Sequence, residues 1–329
     1  MKKIKAISLL SAGLDSILAT KLILDQGIEV EAVNFKTAFS DSVAPSKIAA
    51  DKLGIGLKIF NIGEEYFQIL KNPKYGYGSN VNPCLDCRIF IFKKAARYMK
   101  ETKTSFLITG EVLEERPMSQ RRDALRIIER DSKLEGLVLR PLSAKLLEPT
   151  IAEKEGLVDR EKLFAIRGRS RKPQIQLARQ FGIDYYLSPA GGCLLTDPGF
   201  TNRMRDLMRQ NGNFTINDIE LLKVGRHFRL NPGTKLIVGR NRNENNRLLN
   251  MAKGGDLLFN PTETAGPVGI VRGEFAKEIP PVASSIVARY SDSDGNQRLE
   301  IAYKRIPDST VSSILVFPAG EEKLQNMRI

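Results

Sequence analysis

The first half of the chain alternates short apolar runs with stretches of helical period, and few folds accept that alternation. Ile4 to Leu10 is a β-rich apolar run, and Asp15 to Gln26 has helical spacing, with Gly27 as a stop. Glu29 to Lys36 alternates like a strand, and Pro45 to Leu53 reads as a helix beginning at proline. Leu57 to Ile62, Ser105 to Thr109 and the run around Val138, Leu139 and Leu142 are further strands. The series predicts an α/β fold, a parallel sheet with helices on both faces. Ligands on such sheets bind beyond the carboxyl ends of the strands, where Ser11 and Gly110 fall.

From about Pro198 the pattern becomes shorter and more mixed. Phe200 to Gln210 reads as one bridging helix, followed by a polar break at Asn211 to Asn213. Strands are expected at Lys235–Val238, Asp256–Phe259, Arg298–Lys304 and Ile314–Phe317, with a helix at Asn243–Lys253. The expected division is a first domain over residues 1–200, a linker over 201–214 and a smaller, basic α+β domain over 215–329.

The formal charge of +13 over 329 residues suggests a polyanionic partner, because each neutralised phosphate releases condensed counterions. A solvated basic surface is the plainer alternative. Three cysteines make no disulfide framework in a chain this long, so a reducing cytoplasm is expected. The opening MKKIKAISLL imitates a signal peptide, but Asp15 interrupts the apolar run and no small-residue cleavage site follows. No stretch approaches a membrane span, and no membrane partner is expected.

The strongest local signal is Ser11-Ala12-Gly13-Leu14-Asp15-Ser16, set between an expected strand and an expected helix. Small residues let backbone wrap closely around phosphate, and the following helix aims unpaired N–H groups and its positive end at the anion. Ser11 and Ser16 add hydroxyl donors. Asp15 repels phosphate unless it serves a cation, which suggests Mg²⁺ or an oriented water. No Gly-Lys-Ser/Thr ending follows, which excludes the usual Walker loop. A plain strand-to-helix turn capped by Asp15 remains the alternative.

These residues resemble the PP-loop ATP pyrophosphatases, whose loop reads Ser-Gly-Gly-x-Asp-Ser and which cleave ATP between the α and β phosphates. Ala12 replaces the first paired glycine. If that position needs a positive φ, alanine strains the loop by about 1 kcal/mol. The second strand ends Val33-Asn34-Phe35-Lys36, where the resemblance implies adenine beside Phe35. The fourth ends Ile108-Thr109-Gly110-Glu111, similar to the family's Thr-Gly element near the nucleotide.

Pro83-Cys84-Leu85-Asp86-Cys87 precedes a long apolar-basic helix, and Cys193 ends Pro189-Ala190-Gly191-Gly192-Cys193. The C-x-x-C spacing lets two thiolates reach one metal or each other. A cysteine at a helix N-terminus is expected to have a lowered pKa, and Gly191 and Gly192 to let the third sulfur approach. Cys84, Cys87 and Cys193 are candidates for three ligands of a 4Fe-4S cluster with one open iron, or for persulfide chemistry with a resolving thiol. Zinc completed by His227 is a weaker alternative, as is a buried pair with an unrelated thiol. The order of loop, Asn82-Pro83-Cys84-x-x-Cys87, Thr109-Gly110-Glu111 and late cysteine resembles the tRNA thiouridine synthases. Gly110 to Leu113, Ser119-Gln120 and Arg140-Pro141-Leu142 are similar to the 4-thiouridine synthase branch, and Asn-Pro-Cys-x-x-Cys to the 2-thiouridylases. This likeness covers about residues 1 to 200. Neither a THUMP-type module nor a rhodanese is recognisable, which tilts the expected sulfur donor toward a cluster or free sulfide over a persulfide carrier.

Lys223 to Lys253 holds eight basic residues and one acidic, and Arg160 to Arg179 holds seven and one. Arg121, Arg122, Arg126 and Arg130 add charge beside the loop. The Gly239–Asn243 turn adds close backbone approach and amides. Arg121, Arg122, Arg169, Arg171, Arg226, Arg240 and Arg242 are therefore candidate RNA contacts. Lys235 to Asn241, Asn245-Asn246, Asp256 to Phe259 and Gly266-Pro267 resemble the RNA-binding module of the NFACT proteins over about residues 223 to 275. The joint expectation is a tRNA sulfurtransferase that uses ATP and Mg²⁺, adenylates a uridine oxygen and replaces it with sulfur. Rivals are a PP-loop ligase acting on a small molecule and a non-catalytic RNA-binding factor.

Overall fold

A computed structural model describes residues 4–329 apart from 41, 188–192, 211, 294 and 296. The chain divides into two compact units, Met1–Asp197 and Pro198–Ile329.

Strands β1 (Lys5–Leu9), β2 (Glu29–Lys36), β3 (Leu57–Asn61), β4 (Phe106–Ile108) and β5 (Val138–Leu139) build the first unit's sheet. Their order is β3-β2-β1-β4-β5 and every pairing is parallel. Helices α1 (Leu14–Leu24), α2 (Val43–Leu53), α3 (Phe67–Lys71), α4 (Cys84–Thr102), α5 (Arg122–Ser132), α6 (Ile151–Lys154) and α7 (Lys172–Gln180) flank it. The order reverses between β1 and β4, so the loop after β1 opens at the switch point where such sheets bind ligands. Helix α2 begins at Val43, two residues before Pro45, because proline needs no N–H within a first turn.

Helix α1 is apolar on nearly every side because both faces are covered. Ile17, Leu18 and Leu22 meet Leu177 and Ala178 of α7, while Ala19 and Ile23 meet Ala6, Phe106 and Leu139 of the sheet. Ser8 and Thr20 satisfy each other beneath it with a 2.6 Å hydrogen bond.

Ala12 has φ 59°, the left-handed region that disfavours a Cβ. Ala12→Gly is therefore expected to raise the first unit's stability by roughly 0.5–1 kcal/mol, the relief of strain exceeding glycine's extra unfolded-state entropy. A urea titration reads the change as a shifted midpoint at constant slope.

The second unit carries α8 (Pro198–Gln210), α9 (Ile216–Leu222), β6 (Arg226–Asn231), β7 (Thr234–Val238), α10 (Arg242–Met251), β8 (Leu257–Pro261), β9 (Gly269–Gly273), α11 (Ile279–Arg289), β10 (Leu299–Arg305), β11 (Ser312–Val316) and α12 (Glu321–Met327). Its strands form an antiparallel sheet, β11-β10-β8-β9-β7-β6. Phe228, Leu236, Phe259 and Ile301 face α11, while Ile237, Leu258 and Ile270 pack with Leu221 of α9 and Leu248 of α10. Residues 201–210, placed by the sequence in the linker, belong to α8 of this unit; Asn211 of the expected polar break lies outside the described residues.

Candidate active site

The carboxyl ends of β1, β2 and β4 and the start of α4 enclose a cavity of roughly 370 Å³. Ser11, Gly13, Asp15 and Ser16 line it from the loop, Phe35 from β2 and Thr109 and Gly110 from β4. Ser16 Oγ donates to the Gly13 carbonyl at 2.8 Å and lies 3.3 Å from Ser11 N, closing the loop on itself. Gly13, with φ −71°, caps α1 without a side chain, and its carbonyl accepts from Ser16 N at 3.0 Å and Ile17 N at 3.2 Å. Phe35 stacks on Phe60 with centroids 5.2 Å apart, an apolar wall suited to a planar base. Ala12 and Leu14 are buried among core residues and are not among those lining the cavity.

Cys84, Cys87 and Cys193 line the same cavity, all unbonded to one another and half-buried. Backbone ties bring the late cysteine to the early pair. Leu194 N donates to the Phe39 carbonyl at 3.2 Å, and Asn80 Nδ2 to the Thr196 carbonyl at 3.1 Å. The loop carrying Asn80 is in turn held to α4, where Asp86 accepts from Lys74 N and Tyr75 N at 3.0 Å each. Gly191 and Gly192, expected to ease the approach of Cys193, lie outside the described residues.

The expectation of depressed thiol pKa values is corrected. Burial pushes Cys84 up against the opposing pull of Arg88 and Arg116. Burial also pushes up Cys87, opposed by Tyr66, and lifts Cys193 to about 12. The pull of a helix start is outweighed by desolvation of these sulfurs in the cavity they line. In ligand-free protein at pH 8, Cys193 is expected to react with iodoacetamide at least tenfold slower than an unhindered thiol, since the thiolate is the nucleophile. Peptide mass spectrometry over a time course measures this.

Asp15 has one oxygen 3.2 Å from Arg171, while its Oδ1 is buried without a partner. Burial raises its pKa, with Arg171 and Gln174 pulling the other way. Arg171 also bridges to Glu115 at 3.2 Å. The charge pattern had grouped Arg171 with RNA contacts; the fold turns it into this cavity, because Arg171 immediately precedes α7, which packs on α1. Sequence reasoning missed Tyr66, Arg88, Glu115 and Arg116, which also line it. Arg88 follows Cys87 directly and was the readable one; Tyr66 ends a short turn behind two glutamates, with no signal.

The other basic candidates are spread more widely. Arg121 is exposed and pairs with Asp123 at 3.2 Å, and Arg122 donates to the Leu146 carbonyl at 2.8 Å. Arg169 is exposed. In the second unit Arg226 lies over the Tyr290 ring, Arg240 is held by Glu244, and Arg242 is exposed at the start of α10. The Asn241 and Asn245 amides serve the fold there: Asn241 caps α10, and Asn245 accepts from Val268 N at 3.1 Å. His227 is buried with Nε2 2.8 Å from the Val224 carbonyl, and burial drives its pKa well down. It is a neutral packing residue, which removes the zinc alternative. Among the described residues no three His, Cys, Asp or Glu side chains are placed to hold one metal ion.

Residues 2–146 match the family model described as thiamine biosynthesis protein (ThiI), and residues 225–328 match the one described as NFACT protein RNA binding domain. The first unit is thus similar to the ThiI family and the second to the NFACT RNA-binding domain, each match covering less than half of the chain. Among curated relatives, a tRNA-specific 2-thiouridylase MnmA of Pseudomonas fluorescens is 24% identical over 247 residues, covering 70% of this chain and 62% of that protein. The tRNA-specific 2-thiouridylase MnmA 1 of Fusobacterium nucleatum is 30% identical over 105 residues, covering 31% of this chain and 29% of its own. The chain thus spans less than two thirds of the length of these relatives. A solved 4-thiouridine synthetase–RNA complex with bound ATP aligns at a TM-score of 0.41 and 19% identity, over 67% of this chain and 52% of that one, a likeness too distant to carry an argument.

Proposed function

We propose that this chain is an ATP-dependent tRNA thiouridine synthase acting in the cytoplasm. The reading rests above all on one observation: the phosphate loop and all three cysteines open into the same cavity. Phosphates sit on the loop from Ser11 to Ser16, at the positive end of α1, and adenine lies by Phe35. The unpartnered Oδ1 of Asp15 fits a cation shared with phosphate oxygens, and Mg²⁺ there would neutralise charge on the pyrophosphate.

A uridine carbonyl oxygen attacks the α phosphorus, the bond to pyrophosphate breaks, and the base becomes an O-adenylate. Arg116 and Arg171 at the cavity wall offset charge on the departing pyrophosphate. Hydrosulfide then adds to the activated carbon, the C–O bond to AMP breaks and the proton is lost to solvent. The burial that raises the thiol pKa values also limits the water that competes as nucleophile. Cys84, Cys87 and Cys193 are a chemically suitable donor set for three ligands of a 4Fe-4S cluster, which when bound would supply an open iron for sulfide. The basic second unit and the exposed arginines of α5 hold the RNA backbone.

The test is direct. Anaerobically purified protein is incubated with tRNA, ATP, Mg²⁺ and sulfide, and digested nucleosides are run against 4-thiouridine and 2-thiouridine standards. ATP-dependent thiouridine is the expected result. ATP turnover indifferent to tRNA, with no thionucleoside, would move the chain to the small-molecule ligases.

A further inference from the structure

A second cavity of the first unit, roughly 220 Å³, lies among α5, β5 and α6. Arg122, Arg126, Arg140 and Lys154 line it with the acids Glu129, Glu148 and Glu153, the last of which is paired with Arg160. Glu129 is already engaged, because Arg140 Nη1 bonds it. Arg140 is 3% exposed, its Nε donates to Glu111 at 3.0 Å, and its buried Nη2 has no acceptor. Among the described residues, neither Arg126 nor Lys154 has a hydrogen-bond or ion-pair partner. A buried guanidinium N–H without an acceptor is rare and calls for an oxygen from outside. No aromatic ring lines the space, so nothing there suits a base. Its converging cationic donors suit a phosphate group.

We propose that this cavity is a phosphate subsite for the backbone of the substrate RNA, with Arg140 at its floor and Arg126 and Lys154 at its mouth. The inference rests on the RNA reading above and gives that RNA a place on the first unit. Exposed Arg122 and Arg126 continue the site along α5. Arg140 also connects the two cavities. Glu111, 1% exposed, takes Arg140 on one side and Arg88 at 3.4 Å on the other, and Arg88 lines the nucleotide cavity beside Cys84 and Cys87. A phosphate seated on Arg140 is therefore one buried carboxylate away from the head of the cysteine helix.

Arg140→Ala would remove the buried cation shared by Glu111 and Glu129 and risks misfolding, so the test uses the mouth. Arg126→Glu with Lys154→Glu in the full chain is compared with Lys93→Glu plus Lys100→Glu, exposed on α4, which changes net charge equally. Filter binding of tRNA over a salt series should show at least a tenfold loss for the first pair and a salt slope smaller by about one to two. The α4 pair should lose far less; equal losses in both pairs would reduce the effect to general field and overturn the subsite. The second probe is inorganic phosphate, read by ³¹P line broadening without ATP. Broadening that tRNA relieves and the Arg126/Lys154 pair abolishes supports a backbone phosphate. Broadening that the pair abolishes but tRNA leaves intact would mark a free-anion site and overturn the RNA assignment. Wild-type protein that makes no thiouridine fails the broader reading. Unchanged tRNA binding in a double variant that still thiolates fails only the subsite.

Discussion

Gly110→Ala is expected to cost the first unit about 3 kcal/mol and to abolish nucleotide binding even where the protein stays folded. A Cβ on Gly110 would stand 2.4 Å from Ser16 N, 2.5 Å from Asp15 C and 2.6 Å from Ser16 Cα. All three are backbone atoms of the first turn of α1, so no side chain can swing aside. Relief requires α1 to move away from β4, yet α1 is clamped by α7 on one side and the sheet on the other. Interiors packed this closely pass such strain on. The same displacement separates Ser16 from Ser11 and opens the phosphate loop. For a unit of this size the loss corresponds to a melting shift of roughly 6–12 °C. Calorimetry and ATP titration on the same preparation read both effects. Gly13→Ala is the control: its Cβ would meet only Ser11 Oγ, at 3.5 Å and at a negative φ, so stability should change little.

The parallel sheet was legible because its strands read as apolar or alternating runs separated by helical segments, and β2 was placed at Glu29–Lys36 to the residue. The second unit was read less fully. Strand β6, Arg226–Asn231, carries two arginines and a histidine and only two apolar residues, Phe228 and Leu230, by which it meets the core. Strand β9, Gly269–Gly273, is flanked by glycines that read as turn. Helix α11 begins with two prolines in its first turn, where missing N–H groups cost nothing, although in sequence they look like a break. At the site, spacing pointed to the phosphate loop and the thiols because their chemistry depends on neighbours in sequence. Tyr66, Glu115 and Arg171 reach the cavity from distant segments through packing alone. The thiol pKa direction was misread for a related reason: desolvation depends on what closes over Cys84, Cys87 and Cys193, and no local pattern encodes it.

Asp15→Asn is expected to reduce ATP-dependent turnover at least a hundredfold while leaving the fold as stable as before, or more so, at pH 7. Burial raises the Asp15 pKa in spite of Arg171, so ionised Asp15 is a net cost to the folded state. The sign follows from proton counts. Between the unfolded value of 3.8 and the higher folded value, the native protein binds more protons, so its stability falls as pH rises through that window. Above both values the cost is fully present, and below 3.8 the carboxyl is neutral in either state. An amide of the same shape removes the charge, so the stability gain of Asp15→Asn should appear above the folded pKa and vanish in acid. Arg171 keeps Glu115 as a partner in the variant, which prevents a stranded cation from masking the gain. A carboxylate retained at a net cost, with one buried oxygen unsatisfied, is what a group reserved for a cation or a phosphate complex looks like before its ligand arrives. Unfolding midpoints across pH, beside thiolation rates, separate the cases. A variant that loses stability at pH 7 and keeps its rate would make Asp15 a structural partner of Arg171 and nothing more.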